Sequence, residues 1–364
     1  MKFIVSLLCV FSWLSAGAVQ WQWHNPQLEK SGNVSNIWNQ GWDEGNYARF
    51  PASAKSEVRG AVWNLSRHSA GLALRFVTDA KVVKVRYGVT GGWSMAHMPT
   101  TGVSGVDLYR LNADGSDSFC AGSYHFADTV TYTFNVDRRP KPGDQEYALF
   151  LPTYNGVKWM EVGVADGDSF RFVPAPTDVK PVIIYGTSIT QGACSSRPGM
   201  AWTNVVCRKL RRPVINLGFS GNAYIEEPVI RYMTDVDAAV YVFDFLPNND
   251  RREKEEVKKL IIDAVHQVRA KRTAPILLVE HAGYSSDEVD EQRHASYNTL
   301  NDAQHEAYDI LRKEGVKDLY YLSREEIGLD PDSWVDVVHY TDFGMKKEGN
   351  VVAEKLKKIL KKHK

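Results

Sequence analysis
The hydrophobic pattern changes period near residue 175. From about Trp21 to Val173, apolar and β-branched residues come in short alternating runs at 71–77, 81–89, 106–111, 130–136 and 147–151, separated by Gly, Asn and Asp. Alternation gives a strand one buried face, and no long amphipathic period interrupts these runs. Residues 19–175 are therefore expected to form an antiparallel β-sandwich of jelly-roll type. Pro174-Ala175-Pro176-Thr177 reads as a linker. From Pro181 the apolar runs become continuous, as a parallel strand covered on both faces requires. Such runs at 182–185, 214–217, 239–243, 276–280 and 319–322 alternate with helical stretches near 200–211, 226–233, 252–271 and 290–314. The closing lysine-rich segment carries the apolar stripe Val351, Val352, Leu356, Ile359 and Leu360, which reads as a helix with a solvated basic face. Residues 176–364 are thus expected to form a three-layer α/β/α domain on a five-stranded parallel sheet.

Composition narrows the class. The 364 residues are 43% hydrophobic, enough for two packed cores. Forty-four basic residues balance 44 acidic ones, so nothing resembles the basic face of a nucleic-acid binder. Lys2, the apolar run Phe3 to Leu14 and the small residues Ala16-Gly17-Ala18 read as a signal peptide over 1–18. This predicts an exported protein, periplasmic or secreted, of bacterial type. No later run is long enough to span a membrane. Beyond Cys9, the cysteines Cys120, Cys194 and Cys207 are odd in number and lack metal-ligand spacing. Cys194 and Cys207 could pair, or all three could be free thiols. His281, His294 and His305 form no ligand motif, so no metal or cofactor is expected. Oligomeric state is not legible.

The candidate chemistry begins at Pro181 to Gly192, PVIIYGTSITQG, where a buried strand delivers Ser188 to the carboxyl edge of the sheet. A serine hydroxyl needs a base, and the base needs a partner that fixes its tautomer. Asp336-Val337-Val338-His339 supplies both in one loop. Donors for an oxyanion are offered after two other apolar runs, by the Gly218 amide and the Asn248 side chain, with the Ser188 amide as a third. Taken singly, Ser188, Gly218 and Asn248 read more readily as turn or cap residues, and His339 as an ordinary polar residue of a loop. Their joint occurrence in this order, with Asp336 three residues before His339, is what favours a serine esterase site. No Gly-Lys-Ser/Thr follows the glycines after the first strand, which excludes a phosphate loop.

In this order the blocks GTSITQG around Ser188, NLGFSGN around Gly218, FLPNND around Asn248 and DVVHYTDFG around Asp336 and His339 resemble the SGNH, or GDSL-like, hydrolase superfamily. The resemblance covers Pro181 to the C-terminus, and the first block departs from it in reading GTSIT for GDSL. Asn248 is preferred to Asn249 because Pro247 then fills the middle of the third block. The resemblance implies a flavodoxin-like hydrolase domain with Ser188, His339 and Asp336 as catalytic residues and Ser188, Gly218 and Asn248 as the oxyanion hole.

A β-sandwich ahead of such a domain is similar to two-domain exported carbohydrate esterases, which remove acyl groups, most often acetyl, from sugars. The implied partner is an acylated sugar or polysaccharide. Segments 91–97 and 102–108 resemble parts of those N-terminal domains, with Trp93 either a sugar-stacking platform or a packed aromatic. Glu280 and His281 end a strand at the same sheet edge, where they line the pocket or cap a neighbouring helix. Arg197 either contacts substrate or holds the loop after the nucleophile. Two other readings stay open: acyl transfer to an alcohol by the same residues, and a catalytically silent glycan-binding protein.

Overall fold
The computed structural model describes residues 19–30, 32–138 and 143–363; the signal peptide expected over 1–18 lies outside them. The first half builds two antiparallel sheets. One runs Trp21–His24, Val157–Ala165, Val82–Val89, Val130–Asn135, Gly122–His125; the other runs Phe170–Phe172, Ala73–Thr78, Gln145–Phe150, Asp107–Leu111, Asp117–Cys120, with Ile37–Trp38 also paired to Ala73–Thr78. Alternation decides the faces. Along Val82–Val89, Val83, Val85 and Tyr87 point into the core with Leu74, Phe76, Tyr147 and Leu149 of the second sheet. On the outer face, the Lys84 ammonium and the Arg86 guanidinium lie 3.9 and 4.0 Å from the ring centroids of Trp21 and Trp23.

The second sheet is covered on its other face too. Trp38, Ala73, Tyr109, Ala148 and Phe150 form a separate cluster there, against which Cys207 of the second half packs. Asp117 on this sheet pairs with Arg208 and Arg211. The expected linker is tied down rather than loose: the Ala175 amide donates to the Ser35 carbonyl at 2.8 Å. The first half also reaches beyond its sheets. Phe50, Ala54, Val58 and Val62, on the short helical segments Ala52–Ser56 and Gly60–Ser66 and beside them, belong to one hydrophobic core with Ile183, Tyr185 and Ile215 of the parallel sheet.

The five parallel strands are Val182–Gly186, Val214–Gly218, Val240–Asp244, Ile276–Val279 and Leu319–Leu322, lying in the sheet in the order second, first, third, fourth, fifth. The first three are buried along their whole length, which explains their unbroken apolar sequence. Helices Trp202–Leu210 and Asp342–Lys362 cover one face; Glu227–Asp235, Lys254–Lys271 and Glu291–Lys313 cover the other. The order reverses direction between the first and third strands, so this is the switch point at which an open sheet leaves a crevice beyond its carboxyl ends. Ser188 lies two residues past the end of the first strand. Among the described residues no helix is long and apolar enough to cross a membrane.

Candidate active site
Two glycines let the chain turn tightly off the sheet. A Cβ on Gly186 would lie 1.9 Å from Thr190 Oγ1, and one on Gly218 would lie 2.2 Å from the Gln191 amide nitrogen. Their absence allows the short helix Ser188–Gln191 to rest directly on the ends of the first and second strands. Thr187 caps that helix by accepting from the Ile189 amide, and Gly192 ends it with φ 110°. Thr190 Oγ1 donates to Asp244 Oδ2 at 2.5 Å, anchoring the helix to the end of the third strand. Burial raises the pKa of the Asp244 carboxyl. Glu348 is raised by burial and by the charge of Asp244, and Tyr340 by burial and by Glu348. This enclosed group joins the nucleophile helix to the residue after His339.

At the surface of this corner, His339 Nε2 lies 3.0 Å from Ser188 Oγ and His339 Nδ1 lies 2.8 Å from Asp336 Oδ2. The other oxygen of Asp336 accepts from the amides of Val338 and His339 at 2.8 and 2.7 Å. Partial burial pushes the Asp336 carboxyl up, but the bonds from the His339 ring and from the two amides outweigh it and hold it below the usual carboxylate range. An ionised Asp336 keeps the Nδ1 proton on His339, leaving Nε2 as the acceptor facing the serine.

The second and third blocks divide differently from expectation. The Gly218 amide donates to Asn216 Oδ1 at 2.8 Å, and the glycine packs beneath Gln191. This geometry removes Gly218 from the expected oxyanion role and leaves it a packing one. Gly221, three residues on and in the left-handed region at φ 64°, lines an open cleft with Tyr224, Pro247 and Asn248. Sequence reading passed over it, although Ser220-Gly221-Asn222 carries the signature of a left-handed turn. The preceding amide, of Ser220, donates to Gln191 Oε1 at 3.1 Å, while Gln191 Nε2 donates to His68 Nδ1 and the Thr153 carbonyl. The first half thus fixes the loop bearing Gly221. Asn248 Oδ1 accepts from the Ala223 amide at 3.1 Å, so its NH2 group remains as donor. Asn249 is buried, and its NH2 bridges the carbonyls of Ala223 and Phe245, a structural task that separates it from Asn248.

The four candidate substrate contacts part company. Glu280 accepts from Tyr321 Oη at 2.5 Å and from the Arg324 amide at 2.6 Å, capping the helix Arg324–Ile327. His281 is enclosed between Tyr284 and Tyr297; burial and then the Arg324 charge push its pKa down to about 3, so it stays neutral. Arg197 bonds Asp107 Oδ2 and Tyr109 Oη, both at 2.6 Å, and stacks 3.8 Å from the Phe119 ring centroid, holding its loop to the second sheet. Trp93 alone projects outward, 42% exposed. It belongs to a loop whose glycines Gly91 and Gly92 are gripped by Asn155 and whose His97 ring centroid lies 5.8 Å from that of His339. Cys120, Cys194 and Cys207 are free thiols.

Comparison with known proteins finds one family model for each half of the chain. A family model described as the GDSL-like lipase/acylhydrolase family matches residues 179–360, and one described as GxDLY, the N-terminus of esterases of SGNH-hydrolase type, matches residues 21–170. Gly105-Val106-Asp107-Leu108-Tyr109 spells out the second name, and its Asp and Tyr are the two partners of Arg197. No curated protein matches the sequence. Among solved structures, a protein of Bacteroides ovatus described as a GDSL-like lipase is 26% identical, with 94% of this chain and 98% of that one covered at a TM-score of 0.83. A salicylyl-acyltransferase from a tetracycline biosynthetic pathway is 17% identical, covering 93% and 97% at 0.70. A family two carbohydrate esterase of Clostridium thermocellum, in complex with cellohexaose, is 12% identical, covering 80% and 93% at 0.52. The last two share the fold. With half of its length matched by the hydrolase model and most of the rest by the N-terminal one, the chain belongs to the GDSL-like lipase/acylhydrolase family.

Proposed function
We propose that this protein is a serine esterase that hydrolyses O-acyl esters, most readily O-acetyl esters, on carbohydrates. The observation that carries the proposal is the chain of contacts from Ser188 Oγ to His339 Nε2 at 3.0 Å and from His339 Nδ1 to Asp336 at 2.8 Å, at the carboxyl edge of the sheet. His339 takes the Ser188 proton as Oγ attacks the ester carbonyl, and Asp336 stabilises the imidazolium that results. The Ser188 and Gly221 amides and the Asn248 side chain donate to the developing oxyanion. His339 then protonates the departing sugar oxygen. Water, deprotonated by the same ring, releases the acid and restores Ser188.

The sugar half of the proposal is supported by the fold shared with family two carbohydrate esterases and by the outward-facing Trp93, whose ring offers a stacking surface. A second reading, acyl transfer to an alcohol, draws on the fold shared with the salicylyl-acyltransferase over nearly the whole chain. It differs only in which acceptor meets the acyl-enzyme. Following alcohol release from an aryl acetate, with and without added sugar acceptor, tests both. Hydrolysis that disappears in Ser188→Ala, with an unchanged melting temperature, is the expected result; retained activity in that variant sinks the site. Acylated acceptor exceeding free acid favours transfer.

A further inference from the structure
Three side chains from distant segments meet beside the nucleophile. One ligand atom each of His97, Cys194 and His339 lies within 4.8 Å of the other two. His97 comes from the exposed loop of the first half, Cys194 from the turn after the nucleophile helix and His339 from the loop just ahead of the last helix, Asp342–Lys362. Two imidazoles and a thiol are the donor set of zinc-class metals and a poor one for calcium or magnesium, which require oxygen. Metal–ligand bonds of about 2.0–2.3 Å place tetrahedral donor atoms about 3.4–3.7 Å apart. Closing from 4.8 Å is within reach of a swing of His97, whose side chain is exposed.

The surroundings suit a cation. His339 already donates its Nδ1–H to Asp336 at 2.8 Å, the carboxylate–histidine arrangement that orients and strengthens a metal-binding imidazole. Cys194 is buried at φ 63°, and its Sγ donates to the His97 carbonyl at 3.5 Å, so thiol and loop are in contact. Burial and the nearby charge of Asp336 push that thiol up to about 12. The same negative charge attracts a divalent ion, which displaces the thiol proton on binding.

We propose that His97, Cys194 and His339 form a binding site for zinc-class divalent metal that reversibly arrests the esterase. The ion takes the Nε2 lone pair of His339, and one proton leaves from Cys194 to solvent as the sulfur–metal bond forms. His339 can then no longer accept the Ser188 proton. The arrest rests on His339 being the base in the function proposed above; the metal site itself does not.

The test separates the two. Chelator-treated Ser188→Ala protein is titrated with Co2+, and a thiolate-to-cobalt charge-transfer band in the near ultraviolet is expected, absent from the Ser188→Ala, Cys194→Ser double variant. In protein with Ser188 intact, Zn2+ lowers aryl acetate hydrolysis at least tenfold and chelator restores it. Cys194→Ser and, independently, His97→Gln keep the metal-free rate and raise the Zn2+ midpoint at least tenfold. No band, or the same band without Cys194, overturns the site. A Cys194-dependent band with full activity in saturating Zn2+ overturns the capture of His339. Absence of any Ser188-dependent hydrolysis removes the esterase reading while the cobalt band still decides the metal site.

Discussion

Ser188 is 7% exposed and stands on strand ends fixed by contacts from across the chain, whereas the Asp336 and His339 side chains are 40% and 20% exposed and hold each other across three residues. The nucleophile corner is a product of tertiary packing: Gly186, Gly218, Thr190 and Asp244 meet only because three strands lie in register. The base loop is largely self-contained. One oxygen of Asp336 closes a turn on the Val338 and His339 amides, the Val335 amide returns to the His339 carbonyl at 2.8 Å, and the Ser285 amide meets the Val337 carbonyl. A buried serine keeps its position for the carbonyl to approach. A partly exposed imidazole can shuttle a proton and exchange partners with solvent.

If the loop is as local as its hydrogen bonds imply, damage there should cost rate and not stability. Asp336→Asn places an amide NH2 opposite His339 Nδ1 and favours the wrong tautomer. Turnover of an aryl acetate should fall by roughly 10⁴-fold, while the melting temperature stays within about a degree or two of the parent protein because the position is exposed. A loss of less than tenfold would deny Asp336 the orienting role. A large drop in melting temperature would show the loop to be part of the core, and the contrast would fail.

Asn248 lies between the two regimes, half-buried on the cleft wall and held through its oxygen by the Ala223 amide. Asn248→Ala should lower turnover by about 10²–10³-fold, the usual effect of losing one oxyanion donor. Asn249→Ala, which removes a bridge between two buried carbonyls, should act chiefly on stability. Urea melts and initial rates on both variants decide between them. The reverse assignment would move the donor to Asn249.

The same contrast explains what could be read from sequence. Ser188, Asp336 and His339 were legible because each lies in a short local pattern: strand then turn for one, an aspartate three residues before a histidine for the others. The five parallel strands were legible for the same reason. The occupation of the Gly218 amide was not, since it depends on where Asn216 points once the second strand is in the sheet. Glu280, His281 and Arg197 look alike as polar residues near a strand end or loop, and only their partners Tyr321, Asn301 and Asp107 show what each is engaged in. The segment carrying Ala54, Val58 and Val62 does have a four-residue period, hidden among strands, and its apolar stripe packs against the other half of the chain. Edge strands such as Trp21–His24 and Gly122–His125 are too short for alternation to declare them.

The smallest expected effect probes the buried corner from beneath. Asp244 accepts from Thr190 and lies with Glu348 and Tyr340 in an enclosure joining the nucleophile helix to the base loop. Burial raises its carboxyl from the ordinary 3.8 to about 7, against the hydrogen bond from Thr190 that lowers it. Between those two values the folded chain binds more protons than the unfolded one, so the stability this group contributes is present at acid pH and declines as pH rises through the window. Asp244→Asn keeps an oxygen to accept from Thr190 and carries no charge at any pH. Its melting temperature, measured relative to the parent, should therefore rise as pH increases from 5 to 8, with turnover changed by less than about tenfold because Ser188 keeps its helix. Parallel melting curves would mean that Asp244 ionises as freely as a solvated carboxylate and that the enclosure admits water. A collapse of turnover at unchanged stability would mean that the charge beneath Thr190 tunes the serine, and the division between a packed nucleophile and a chemically active loop would have to be redrawn.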